Sequence, residues 1–116
     1  MLSLPGAVRI YLCKEATDMR RGFDRLAEMV RSLVHQDPLS GHLFVFRSRG
    51  GDRLKLLYWD RDGYVLWYKR LEKGRFHLPE RFAADGRLDP RQLAMILEGL
   101  EEGAVRRRIR FDLARP

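Results

Sequence analysis

One cysteine, Cys13, is all the sulfur chemistry this chain of 116 residues offers apart from its methionines. An intrachain disulfide is excluded, and a zinc site built on thiolates would need more of them. Cys13 sits in an apolar run, which suits a buried structural thiol. No apolar run approaches the ~20 residues of a membrane-spanning helix. No signal peptide opens the chain either. These absences lead to the expectation of a reducing, cytoplasmic setting and no membrane partner. Acidic residues are also in deficit. Asp and Glu number 16 against 23 Lys and Arg, for a formal net charge of +7 and a pI near 10.2. Such an excess favours anionic partners, whether DNA, RNA, an acidic protein or an anionic surface.

What is present is ordinary globular material. Hydrophobic residues make up 45% and charged residues 34%, so disorder is not indicated. The length suits one domain with a real core, expected over residues 1–103 and followed by a basic tail at 104–116.

Alternation and punctuation outline the elements. Val8–Leu12 reads as a short strand after the Pro5-Gly6 turn. Thr17 or Asp18 is placed to cap a helix. Its apolar stripe recurs at Phe23, Leu26, Ala27, Val30, Leu33 and Val34. Three strands follow, Leu43–Arg47, Arg53–Trp59 and Tyr64–Leu71, and Arg75–Leu78 is a candidate for another. Asp60–Gly63 marks a hairpin with a three- or four-residue loop, in which Gly63 is free to take positive φ. Asp89-Pro90-Arg91-Gln92 is a helix start with a reciprocal cap. Leu93, Ile96, Leu97 and Leu100 form the stripe behind it, and Gly99 or Gly103 is placed to stop it. The expected fold is α+β: a mainly antiparallel sheet of four to five strands with two packed helices. The first helix would lie on one face, the second on the same face or an edge.

The hairpin carries the functional signal. With Trp59 opposite Tyr64, Leu57 faces Leu66, Lys55 faces Tyr68 and Arg53 faces Arg70 on one side of the sheet. Tyr58, Val65, Leu56, Trp67, Leu54 and Lys69 occupy the other. That second side is mostly apolar and should take the helix. The first becomes basic at its far end, where Arg47 and Arg49 also arrive. Like charges so close cost stability unless an anion sits among them, and a phosphate backbone would supply it. Tyr68 could stack on an unpaired base or pack against sugar. Arg and Lys on the wet side of a sheet also serve solubility, and their stems cover apolar surface. The expected nucleic-acid contacts are Arg47, Arg49, Arg53, Lys55, Tyr68, Lys69 and Arg70, with Arg106, Arg107 and Arg108 in the tail. Lys69 is the outlier, since this register turns it to the opposite face. Arg20 and Arg21, near a helix start where cations are poorly placed, suit either binding or pairing with Asp18 and Asp24.

Catalytic patterns are weak. Asp60 and Asp62 lie in a turn, which accounts for them. A metal-dependent nuclease would need more converging carboxylates, such as Asp18, Asp24 or Asp52. His35, His42 and His77 lack metal-ligand spacing. Gly50-Gly51 lacks the Lys-Ser/Thr of a phosphate-binding loop. No enzyme activity, catalytic residue, cofactor or metal is expected.

Three segments carry a family resemblance: Asp18–Ala27 (DMRRGFDRLA), Gln36–Phe46 (QDPLSGHLFVF) and Gly51–Phe76 (GDRLKLLYWDRDGYVLWYKRLEKGRF). In this order they resemble the TnpB accessory proteins of insertion sequence 66 elements, a family unrelated to the RNA-guided nucleases of the same name. The likeness spans about the first hundred residues. It includes Asp18, Arg20, Gly22, Phe23, Gly41, Asp52, Lys55, Trp59, Asp60, Gly63, Lys69, Arg70 and Gly74. The chain departs from the family after Gly103, where it lacks a tryptophan-containing end. The resemblance implies an accessory to DNA transposition with no assigned catalytic residues, the DDE chemistry residing in a separate, larger transposase. The implied partners are DNA at the element's ends and that transposase. The open sheet edge adds a homodimer to the list. An adaptor that assembles or regulates the transposase is the alternative to direct DNA binding.

Overall fold

The computed structural model describes residues 7–98. Five strands form one sheet, with β1 at Ile10–Leu12, β2 at Leu43–Arg47, β3 at Arg53–Asp60, β4 at Gly63–Arg70 and β5 at Arg87–Leu88. Helix α1 spans Phe23–Met29 and runs into a π-helical turn at Val30–Val34, and α2 spans Pro90–Glu98. The spatial order is β4-β3-β2-β1-β5. Only β1 and β2 run parallel, joined across α1 as a βαβ unit. The other pairings are antiparallel. The fold is therefore α+β with a mostly antiparallel sheet.

The hairpin register is the one its sequence implies. Trp59 faces Tyr64, Leu57 faces Leu66, Lys55 faces Tyr68 and Arg53 faces Arg70. The loop differs. Asp60 pairs with Gly63, which leaves a two-residue connection, and Arg61 takes the positive φ (51°) while Gly63 joins the ladder. The Trp59 and Tyr64 rings meet edge to face at 5.1 Å beside the loop, a favoured geometry for an aromatic cross-strand pair.

The layers also differ from expectation. α1 does not lie on the face of Leu54 and Leu56. It covers the face of Tyr11, Phe44, Phe46 and Leu57, to which it contributes Leu26, Ala27, Met29, Val30 and Val34. α2 takes the other face, setting Leu93 and Ile96 against Ile10, Leu12, Leu43, Val45, Leu54 and Leu56. Central strands buried on both sides need apolar residues at every position. Leu43–Phe46 supplies them and is buried throughout. Alternation in the hairpin alone could not say which helix went where.

Helix starts were half legible. Asp89 accepts the Gln92 N–H at 2.7 Å, and Gln92 Oε1 accepts the Asp89 N–H at 3.0 Å, a reciprocal cap. Thr17 and Asp18 do not cap α1. Its N-cap is Gly22, without a side-chain bond, and Asp18 instead holds the backbone N–H and guanidinium of Arg20. In the predicted stripe, Phe23 and Leu33 are exposed. Phe23 opens the helix at the rim, and the π turn widens the helix so that Val34 follows Val30 inward. Arg75–Leu78 forms no strand. The fifth strand is the two-residue β5, paired with β1, where Gly86 (φ +85°) passes so close that a Cβ would stand 2.5 Å from the Leu12 carbonyl oxygen.

Candidate nucleic-acid interface

The sheet has a basic end. β2 finishes there at Arg47, β3 begins at Arg53 and β4 finishes at Arg70. The 48–52 turn carries Arg49. The segment after β4 is tied to that turn by two backbone bonds, from Leu71 N–H to the Asp52 carbonyl (2.8 Å) and from Phe76 N–H to the Gly51 carbonyl (2.7 Å). Lys73 and Arg75 belong to this segment, and they and Arg49 are exposed. The opposite end of the hairpin carries Asp60, Arg61 and Asp62. β3 and β4 are thus charge-polarised along their length.

The two faces divide the predicted residues. Arg53, Lys55, Tyr68 and Arg70 share the α1 side, while Arg47 and Lys69 belong to the α2 side with Leu54. Arg53 and Arg70 are a register pair of like charge. Arg70 meets Glu72 at 3.1 Å in an exposed ion pair. Arg53 has no ion-pair partner among the described residues. The Arg47 guanidinium lies over Gly51, where a Cβ would stand 2.5 Å from Nη2. Its Nε is buried without a hydrogen-bond partner, so Arg47 is fixed against the turn rather than splayed into solvent. Lys69 reaches from the exposed edge toward the Leu97 carbonyl at 3.4 Å. Arg106, Arg107 and Arg108 lie outside the described residues.

Lys55 does not sit on a wet face as expected. It is buried, and its Nζ donates to the carbonyls of Met19 (2.6 Å) and Arg21 (2.8 Å). The Tyr68 ring lies 4.7 Å away, in cation–π range. Burial pushes the Lys55 pKa down, with the Asp18 charge opposing that shift. The ammonium is therefore engaged inside the protein and unavailable to phosphate. Its effect is to pin the 18–22 segment over β3, while the Arg21 guanidinium reaches Met29 Sδ at 3.0 Å. The Arg20 side chain is 91% exposed and pairs with Asp18 at 2.7 Å. Its hydrogen bonds hold the Asp18 carboxyl well below the usual carboxylate range. Arg20 and Arg21 were singled out only for their poor placement on the helix. No local pattern could bring them to β3, because the link is a lysine bonded to backbone 34–36 residues away.

Other candidates dissolve into structure. Among the described residues no group of three or more His, Cys, Asp or Glu is placed to hold a metal ion. Asp52 bonds Ser48 and Asp60 pairs with Arg61, so the carboxylates proposed for a nuclease centre are dispersed. Cys13 is buried, and burial raises its pKa, which leaves an unreactive thiol. His42 Nδ1 accepts the Arg9 N–H at 3.0 Å, and burial lowers its pKa.

Comparison with known proteins decides the family. The profile described as IS66 Orf2 like protein matches residues 8–107. The chain belongs to the IS66 Orf2-like family. The match covers every described strand and helix, and membership supports an accessory role in transposition. Two curated relatives come from Sinorhizobium fredii. Uncharacterized protein y4hO is 40% identical over 94 residues, covering 81% of this chain and 82% of its own length. Uncharacterized protein y4jC is 36% identical over 110 residues, 93% of this chain and 92% of its own. No solved structure matches. Among the described residues of this IS66 Orf2-like chain, no helix is long and apolar enough to cross a membrane.

Proposed function

We propose that this IS66 Orf2-like protein is a non-catalytic accessory factor that binds DNA, at the ends of the mobile element, through the basic end of its sheet. The observation that carries the reading is the Arg53–Arg70 register pair at the end of the sheet that also carries Arg49, where Arg70 meets Glu72 and Arg53 has no ion-pair partner among the described residues. Like charges directly opposite one another on a ladder are destabilising. Phosphates lying among them remove that cost and release counterions. Arg49, Arg53, Lys69 and Arg70 are the principal contacts, with Lys73, Arg75, Arg20 and Arg21 alongside and Arg106, Arg107 and Arg108 adding charge from the tail. Tyr68 packs at the centre, and Arg47 supports the turn. Such contacts orient the protein on DNA without reading its sequence.

The test is fluorescence anisotropy with labelled duplexes, one set carrying the terminal repeats and one scrambled, across several salt concentrations. Binding should weaken with salt at a log–log slope of roughly −0.9 per phosphate neutralised. Arg53→Glu should reduce both affinity and slope. Absence of binding at low salt overturns direct DNA contact. It would favour the second reading, an adaptor for the transposase, to which the exposed Trp67 and Tyr68 on β4 lend support.

A further inference from the structure

The two edges of the sheet are unlike. Among the described residues, β5 closes one side with two residues, whereas β4 has no strand beyond it along its eight. β4 pairs with β3 without interruption from Gly63 to Arg70, so no bulge twists its outer edge away, and it contains no proline. Shortness, bulges, proline and charged residues are the usual protections of an exposed edge. This strand has none of the first three, its charges are confined to Lys69 and Arg70 at one end, and it carries Trp67 and Tyr68, 38% and 48% exposed. At the other end lies a hairpin loop in which Arg61 pairs with Asp60, and Asp62 is left over without an ion-pair partner among the described residues.

We propose that the β4 edges of two copies of this chain pair antiparallel about a two-fold axis through Leu66, joining two sheets into one. Charge favours a second copy, because an antiparallel partner of the same sequence sets each basic end against the other's Asp62, Asp60 being paired with Arg61 within its own loop. Paired residues must share a sheet face, which confines the axis to a residue rather than a point between two. With the axis at Leu66, Trp67 falls opposite Val65, Tyr68 opposite Tyr64, Lys69 opposite Gly63 and Arg70 opposite Asp62. With the axis at Trp67, Arg70 would meet Tyr64 and find no carboxylate. The Leu66 register therefore buries aromatic and aliphatic side chains centrally and places an oppositely charged pair at each end. Side-chain pairs of this kind are the stabilising unit of a sheet, and backbone pairing supplies the rest.

The test uses the full chain without DNA, so its outcome is separate from that of the DNA reading. Sedimentation velocity over a range of concentrations should show a monomer–dimer equilibrium. Arg70→Asp and Asp62→Arg should each weaken the dimer about tenfold or more, and the double variant should restore it by exchanging the charges. Leu66→Cys should give a disulfide-linked dimer under mild oxidation. Residues directly opposite on an antiparallel ladder have Cα atoms about 4.5–5.5 Å apart, within or close to disulfide range, and the native Cys13 is buried. A monomer at every concentration overturns the proposal. So does a dimer indifferent to both reversals, a double variant that stays weak, or an edge that pairs only with a strand of the transposase.

Discussion

Consider Lys55→Met. The substitution keeps an unbranched apolar stem of similar reach and removes the ammonium, so packing is largely preserved while the clamp on the 18–22 segment is lost. Wild-type Lys55 donates to two carbonyls at 2.6 and 2.8 Å and faces the Tyr68 ring at 4.7 Å. Hydrogen bonds to charged groups contribute about 1.5–3 kcal/mol each, and a partly desolvated cation–π contact about 1 kcal/mol. Against this stands the cost of burying the charge, evident in the lowered Lys55 pKa. A buried ionic group replaced by an apolar one can leave stability unchanged or improve it. Met19 and Arg21 are half-buried, so water can reach part of what the lysine leaves. The net loss should be about 2–4 kcal/mol. For a chain of this size that is a fall in Tm of about 8–16 °C. Thermal unfolding followed by circular dichroism measures it directly. A variant as stable as wild type that also kept amide protection across the 18–22 segment would show that Lys55 does not clamp it. Amide exchange offers an independent check, since protection should fall first around Asp18–Phe23 and leave β2 and β3 unaltered.

Two other perturbations probe features of the same fold. Gly86→Ala forces a Cβ to 2.5 Å from the Leu12 carbonyl oxygen at φ +85° and should cost about 2–4 kcal/mol, seen as a lower urea midpoint. An unchanged midpoint would mean that β5 can move off β1 freely. The Asp18 carboxyl should remain ionised well below the usual Asp range, and a carboxyl NMR titration would show it. Because its folded pKa lies below its unfolded one, the unfolded chain binds more protons between the two values. Asp18 therefore stabilises the fold fully above the unfolded pKa, and that contribution is lost as pH falls through the folded one. Arg20→Ala should raise the Asp18 pKa only part of the way, since the residue-20 backbone N–H still donates to the carboxylate, and a wild-type midpoint near 3.9, the usual Asp value, would refute the argument.

Local chemistry made much of this molecule readable. The hairpin register follows from Trp59 and Tyr64 flanking an Asp-Arg-Asp-Gly turn, since each step along either strand then fixes the next pair. The α2 cap follows from Asp89 and Gln92 at their spacing. What stayed hidden depends on distant chain. A lysine alternating with leucines reads as a solvent-facing group, and only the return of the 18–22 segment over β3 buries Lys55. The two residues of β5 carry no strand signal of their own and exist because β1 offers them an edge. Asp18 looked like a cap because a short acidic side chain before an apolar stripe usually is one. Here the nearer Arg20 claimed it, and the helix started later. Of the basic cluster, the opposition of Arg53 and Arg70 was legible. The return of the 71–76 segment, which carries Lys73 and Arg75, needed its two backbone bonds to Gly51 and Asp52.

The position of β1 has a consequence for synthesis. This three-residue strand is wholly buried, yet its neighbours are β2, reached across α1, and β5, made by Arg87 and Leu88. The β2-β3-β4 meander is built from adjacent chain and can assemble early. β1 precedes the other described strands in the chain, and its second neighbour, β5, is the last of them to be made. For the several seconds that synthesis of the intervening chain takes, at about 5–20 residues per second, Ile10, Tyr11, Leu12 and Cys13 have no complete set of partners. A segment wholly interred in the finished protein is thus carried bare through most of the synthesis of its neighbours.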